Sequence, residues 1–170
     1  MKKKILLAAG VILTLAVLIG TTYSYYLDTD SIVNEVTSGK SDITIKEDFI
    51  KPPTDPTPGT TIKKNVSAIA NGSDSYIRMM VLVNDSEVAN CITLNYSKSQ
   101  NWVKENDGYW YYKIPVKEGQ QTNNLLESVT FNRVLPAGKN LEIICFGESV
   151  QSEGFEIGTK PYLKAFDAIK

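Results

Sequence analysis

The chain has 170 residues and a formal net charge of −1, from 18 lysine and arginine and 19 aspartate and glutamate side chains. It has two cysteines and no histidine. The absence of a basic tract argues against a nucleic-acid partner. The absence of histidine excludes an HExxH zinc site and histidine-assisted serine catalysis.

The first 24 residues have the layout of a secretory signal peptide. Three lysines at positions 2–4 precede an uncharged apolar run from Ile5 to Gly20. As a helix this run reaches about 24 Å, which is short of the roughly 30 Å hydrocarbon core of a bilayer. Thr22 and Ser24 are small residues separated by one, so we predict cleavage after Ser24 and a mature N-terminus at Tyr25. An uncleaved anchor is the alternative.

Cleavage would leave a mature chain of about the modal size of one domain, with an excess of acidic residues. We therefore predict a signal peptide at 1–24, an extended N-terminal segment at 25–38 and a β-sandwich domain at 39–170. The expected location is secreted or at the cell surface, with membrane contact only before cleavage.

The rest of the chain has the pattern of strands and turns. In Asp42–Phe49, two isoleucines alternate with charged neighbours, which is the period of a half-buried strand. A stiff loop with four prolines, IKPPTDPTPGT, follows. Two strands then flank the turn Asn71–Asp74, and the second is apolar on both faces, which predicts a central strand.

Two further strands are predicted at Gly108–Val116, which is rich in aromatic residues, and at Leu141–Val150. The segment between them, Thr122–Asn132, is compatible with a strand pair or a short helix. Only the tail Lys160–Lys170 has helical spacing, with apolar residues on one face at Leu163, Phe166 and Ile169. These elements predict an all-β, antiparallel two-sheet sandwich, jelly-roll-like, with short helical segments.

No cofactor, metal site or catalytic residue is predicted. Asp28, Asp30 and Asp42 are acidic but lack the spacing of a calcium loop. Cys91 and Cys145 are a candidate disulfide, which would contribute roughly 4 kcal/mol after export. Two buried free thiols are the alternative, and the sequence leaves both open.

The region after the cut resembles the start of the TasA/camelysin family, exported proteins of Gram-positive bacteria that are processed by a SipW-type signal peptidase. The matching positions are Tyr26, Asp28, Asn34 and Gly39. Three later segments are similar to clostridial biofilm-matrix and pilin-like members: PTPGTTIKKNVSAIANGSDSYIRM, NWVKENDGYWYYKIPVKEGQQTNNLL and GESVQSEGF.

The resemblance implies a jelly-roll subunit that assembles outside the cell into fibres of the biofilm matrix. The partners would be other copies of the chain, the SipW-type peptidase and an anchoring or accessory matrix protein. Some relatives carry a camelysin metallopeptidase label. Zinc would have only carboxylates as ligands in this chain, so we expect no peptidase activity and carry over the structural role alone.

The segment Tyr25–Val36 is the candidate donor strand, with Ile32, Val33 and Val36 as apolar anchors. An extended segment can complete the open sheet edge of another subunit, and head-to-tail donation propagates as a filament. A disordered tail is the alternative.

Two other functions compete with the fibre subunit. A monomeric cell-surface adhesin or carbohydrate-binding module is suggested by the aromatic run Tyr109–Tyr112 with Trp102 nearby. Alternation in a strand leaves at most two of the four rings on one face, so core packing is favoured. An enzyme is the weaker alternative, because the carboxylates Glu142 and Glu148 share only a strand face.

Overall fold

The computed structural model describes residues 42–49, 56–155 and 157–169. The predicted signal peptide and the candidate donor strand lie outside the described residues. The elements are β1 (Ile43–Phe49), β2 (Thr61–Ala70), β3 (Ser75–Val83), α1 (Ser86–Ala89), β4 (Ile92–Tyr96), β5 (Trp102–Lys104), β6 (Trp110–Tyr112), β7 (Leu126–Phe131), β8 (Ile143–Gln151) and α2 (Pro161–Asp167).

The described strands form two four-stranded antiparallel sheets. Sheet I has the order β1-β2-β7-β4, and sheet II has the order β5-β6-β3-β8. The turn at Asn71–Asp74 therefore carries the chain from one sheet to the other, because β2 and β3 belong to different sheets. The prediction of an all-β, antiparallel two-sheet sandwich is confirmed.

The core lies between the inner faces of the two sheets. Val66 and Ala68 of β2, and Ile77 and Met79 of β3, are fully buried there. On β3, Arg78 and its outward-facing neighbours point away from this core, as the period of two requires. The prediction that β3 is a central strand is confirmed, since it lies between β6 and β8.

The strand predictions differ from the structure mainly in their bounds. The strand predicted at Gly108–Val116 is formed only over Trp110–Tyr112, because Gly108 is in a turn with φ of 88°. The ambiguous segment Thr122–Asn132 contains a single strand, β7. The short strands β4 and β5 were not predicted.

The C-terminal helix α2 lies within the tail Lys160–Lys170, for which the helical spacing predicted a helix. Pro161 occupies its first turn, after Lys160 in the left-handed conformation with φ of 52°. Phe166 is buried as predicted, but the buried face is completed by Tyr162 and Ala165. Ile169 lies beyond the last helical residue and is 51% exposed, so it does not extend the helical face that the spacing predicted.

Neither helix in the described part of the chain has the length and apolar character that crossing a membrane requires.

Candidate functional site

Over the described residues both sheets are open, so each has two edge strands. The edges of sheet I are β1 and β4, and those of sheet II are β5 and β8. Among the described strands, each of these four pairs on one side only. Open edges carry backbone N–H and C=O groups that can pair with another extended segment.

The strands β1 and β8 lie on the same side of the sandwich and approach each other closely. A Cβ atom added at Gly147 of β8 would lie 2.7 Å from Ile43 Cδ1 and 3.3 Å from Ile45 Cδ1. Glycine at this inward-facing position therefore allows the side chains of β1 to pack directly on the backbone of β8.

One half of the outer face of sheet II is covered by α2. Tyr76 and Val150, from β3 and β8, and Tyr111 of β6 form a second apolar cluster there with Tyr162 and Phe166. The ring of Tyr111 lies 5.5 Å from that of Phe166, centroid to centroid, in an edge-to-face arrangement. The helix is thus held by aromatic packing.

Arg78 forms the polar boundary of this cluster. Its Nε donates a hydrogen bond to Glu148 Oε2 at 2.6 Å, and its Nη1 donates to Tyr111 Oη at 3.0 Å. The guanidinium also lies 4.3 Å from the ring centroid of Tyr109 and 4.5 Å from that of Phe166. Burial would lower the pKa of Arg78, but its hydrogen bonds to Tyr111 and Glu148 raise it overall.

A second set of polar contacts joins the start of α2 to Glu105. Lys160 Nζ donates to Glu105 Oε1 at 2.8 Å, and Tyr162 Oη donates to the same oxygen at 2.9 Å. The hydrogen bond from Lys160 holds the pKa of Glu105 below its usual value. Burial, reinforced by the Glu105 carboxylate, raises the pKa of Tyr162 to about 12.

The other half of the outer face of sheet II is apolar and partly exposed. We call it the exposed apolar patch. It consists of two cross-strand pairs between β3 and β8, Met80 with Phe146 and Leu82 with Ile144. Leu82 is 43% exposed and Phe146 is 37% exposed.

The aromatic run is mostly packed inside the protein. Tyr111 is buried under α2, whereas Tyr112 and Trp102 are buried in the main core. Trp110 is half-buried and stacks on Tyr96 of sheet I, with 4.5 Å between ring centroids. Core packing therefore accounts for most of the rings that suggested a carbohydrate platform.

Sheet I carries a charged pair between a buried lysine and a glutamate on its exposed edge strand. Lys64 of β2 is buried and donates a hydrogen bond to Glu47 of β1. The thiol of Cys145 is close to the Glu47 carboxylate. Burial is the main reason that the pKa of Cys145 is raised to about 12, and the negative charge of Glu47 adds to the effect. Cys145 and Cys91 are both free thiols and both buried. The Cys91 Sγ donates to the carbonyl oxygen of Glu87 at 3.3 Å.

The acidic residues singled out in the sequence are not brought together. Glu148 pairs with Arg78, and Glu142 is exposed, with its backbone N–H donating to Asn84 Oδ1 at 3.3 Å. Asp42 is exposed, and the two earlier aspartates, at positions 28 and 30, lie outside the described residues. Arg78 was not among the predicted site residues, although an arginine within an otherwise apolar central strand was a visible signal.

These features define the part of the chain that the structure describes as an all-β sandwich domain built from two open sheets. A family model described as "Camelysin metallo-endopeptidase" matches residues 1–104, which is more than half of the chain. The chain therefore belongs to the camelysin family, as its resemblance to TasA/camelysin proteins predicted. A search of curated proteins and a search of solved structures found no match.

The family match corrects one expectation drawn from the sequence. We expected a protein without peptidase activity, and that expectation is wrong at the level of the family, which is described as a metallo-endopeptidase family. Within the described residues, no three His, Cys, Asp or Glu side chains are grouped so that they could hold a metal ion. These residues do not fit a zinc centre, and no catalytic step is assigned to them.

Proposed function

We propose that the mature chain is a secreted structural subunit that assembles into extracellular fibres of the biofilm matrix by head-to-tail strand donation. The observation that carries the proposal is the open sandwich, in which the four edge strands each pair with only one neighbour among the described strands. A sheet edge of this kind can accept an extended segment from another chain through main-chain hydrogen bonds.

The donated segment in this proposal is Tyr25–Val36, which lies outside the described residues and precedes the first described strand. Its apolar anchors are Ile32, Val33 and Val36. Because each subunit donates to the next one, the contact is heterologous and does not close on itself. The principal partner is therefore another copy of the chain, and an anchoring or accessory matrix protein is a further proposed partner.

Processing is part of the same proposal. A SipW-type signal peptidase would cut after Ser24, beyond the small residue Thr22, and release the segment that begins at Tyr25. N-terminal sequencing and intact mass of the secreted protein should give Tyr25 as the first residue. A mature chain that retains the lysines at positions 2–4 would contradict this step.

Assembly is tested by deleting residues 25–34 from the mature chain. The shortened protein should remain a folded monomer by circular dichroism and size-exclusion chromatography and should form no fibres by electron microscopy. A variant of unchanged length, with serine in place of Ile32, Val33 and Val36, should show the same loss if these side chains anchor the segment. The Asp42→Asn variant is the control, since Asp42 is exposed and lies outside the donated segment, and it should form fibres. Normal fibres from the shortened chain would overturn the proposal.

A further inference from the structure

Three of the four described edge strands have features that discourage pairing with another chain. The edge β1 carries the charged run Lys46–Asp48, and its Glu47 pairs with the buried Lys64. The edge β4 has an irregular register with β7 between Asn95 and Tyr96. The edge β5 has three residues and ends at Lys104. Charges, irregular pairing and short length are the usual means of protecting an edge.

The fourth edge, β8, lacks these features. It has nine residues and pairs with β3 in one continuous register from Ser75↔Gln151 to Val83↔Ile143. Its sequence, IICFGESVQ, has no proline or lysine and a single charge, Glu148. That charge is neutralised by Arg78 on the neighbouring strand. A long, regular and nearly uncharged edge is the type that pairs with an added strand.

The half of β8 from Ile143 to Gly147 is also next to apolar surface. Its outward side chains, Ile144 and Phe146, belong to the exposed apolar patch, which continues onto β3 at Leu82. A strand added to this edge would cover part of the patch as well as the backbone groups. Main-chain pairing and side-chain burial therefore favour the same position.

We propose that β8 is the edge that receives the donated strand, so that residues 25–36 of a second copy pair with its Ile143–Gly147 half and pack on Ile144 and Phe146. This inference rests on the proposed function and names the accepting surface. The segment is longer than β8, so its length suffices to cover the edge.

The path of β1 favours a second copy over the chain's own segment. Ile43 packs on Gly147, whereas Glu47 lies next to Cys145, so β1 crosses β8 in the opposite direction. The chain thus enters the sandwich from the Gln151 end of β8. A segment before Ile43 would have to reverse its direction to reach Ile144 and Phe146 of its own β8, and no such reversal is needed to reach another copy.

A pair of matched variants of the mature chain tests the accepting edge. Phe146→Lys adds a charge to the edge strand, whereas Leu82→Lys adds the same charge to the same patch on the interior strand β3. The critical concentration for fibre formation should rise about tenfold for Phe146→Lys, the effect of weakening association by about 1.4 kcal/mol. Leu82→Lys should have a clearly smaller effect, and both proteins should remain folded by circular dichroism. Equal impairment of fibre formation in the two variants, or unimpaired fibre formation by Phe146→Lys, would overturn the inference.

Photo-crosslinking identifies the strand that occupies the edge. A benzoylphenylalanine placed at position 146, in a mixture of light and heavy nitrogen-labelled chains, should give crosslinks to residues 25–36 that contain both isotopes. Crosslinks within single-isotope chains would mean that the chain covers its own edge, and crosslinks to another strand would mean a different contact. Either result overturns β8 as the acceptor while leaving fibre formation intact. Failure of the unmodified chain to form fibres would instead refute the proposed function.

Discussion

Arg78 on β3 and Glu148 on β8 are direct cross-strand partners, and their ion pair separates the covered half of the outer face of sheet II from the exposed half. On one side of the pair, α2 buries an aromatic cluster. On the other side lies the exposed apolar patch, next to the proposed accepting edge. Arg78 thus contributes both to the packing of α2 and to the low net charge of β8.

Replacing Arg78 with leucine should lower the free energy of unfolding by about 2 to 3 kcal/mol, because it leaves the partly buried Glu148 without its partner. Lys63→Leu is the control, since Lys63 pairs with Asp48 where both side chains are largely exposed. Its effect should stay below about 1 kcal/mol. Urea denaturation measures both values, and equal effects would show that the Arg78 pair is no more important than a surface pair.

Replacing Phe166 with alanine should lower the free energy of unfolding by about 3 kcal/mol, because the ring is buried against Tyr111 and the guanidinium of Arg78. Ile169→Ala, just beyond the same helix, should change stability by no more than about 0.5 kcal/mol because Ile169 is exposed. Thermal or urea unfolding of the two variants gives the comparison. A stable Phe166→Ala protein would mean that α2 contributes little to the fold.

Sequence patterns located the central strand because its two-residue alternation is local. The inward set with Ile77 and Met79 and the outward set with Arg78 were both visible along β3. What covers each outward residue is decided by segments distant in sequence, so the burial of Tyr76 under α2 and the exposure of Leu82 could not be predicted. The same limit applies to Lys64, whose burial is tolerated because Glu47 of a different strand, β1, accepts its hydrogen bond.

The short strands β4 and β5 show a second limit. Trp102–Lys104 has too few residues to display a period, and its pairing is supplied by β6. For the candidate site, the sequence indicated a donated segment but not the edge that accepts it. An edge is a property of strand order, and the position of β8 at the end of sheet II became clear only from the pairing of distant strands.

The two cysteines should behave as buried thiols. Burial raises the pKa of Cys145 to about 12, so very little of this thiol is ionised at pH 8. Dithionitrobenzoate at pH 8 should therefore react with neither cysteine in the folded protein, since Cys91 is also buried. In guanidinium chloride the number of thiols that react should rise to two per chain. No reaction after unfolding would show that the cysteines form a disulfide.

Lowering the pH should destabilise α2 because Glu105 becomes protonated. The pKa of Glu105 is lowered in the folded protein, mainly by the hydrogen bond from Lys160, so its ionised form stabilises the fold. This contribution is complete above the unfolded-state pKa of about 4.3 and is lost as the pH falls through the lower folded-state value. Hydrogen exchange of the amides in α2, corrected for the intrinsic rate, should therefore become faster across this range.

The control separates Glu105 from other carboxylates near this cluster, among them Asp107 and Glu148, which contact Tyr111 and Arg78, and Asp167 in α2 itself. Glu105→Gln cannot form the ion pair with Lys160, so at pH 7 its α2 amides should already exchange faster than those of the unmodified protein. The difference between the two proteins should disappear as the pH falls through the titration of Glu105, because protonation removes the same charge from the unmodified protein. A difference that stays constant from pH 7 to the acid limit would show that Lys160 and Tyr162 are held by the shape of the turn and not by the charge of Glu105.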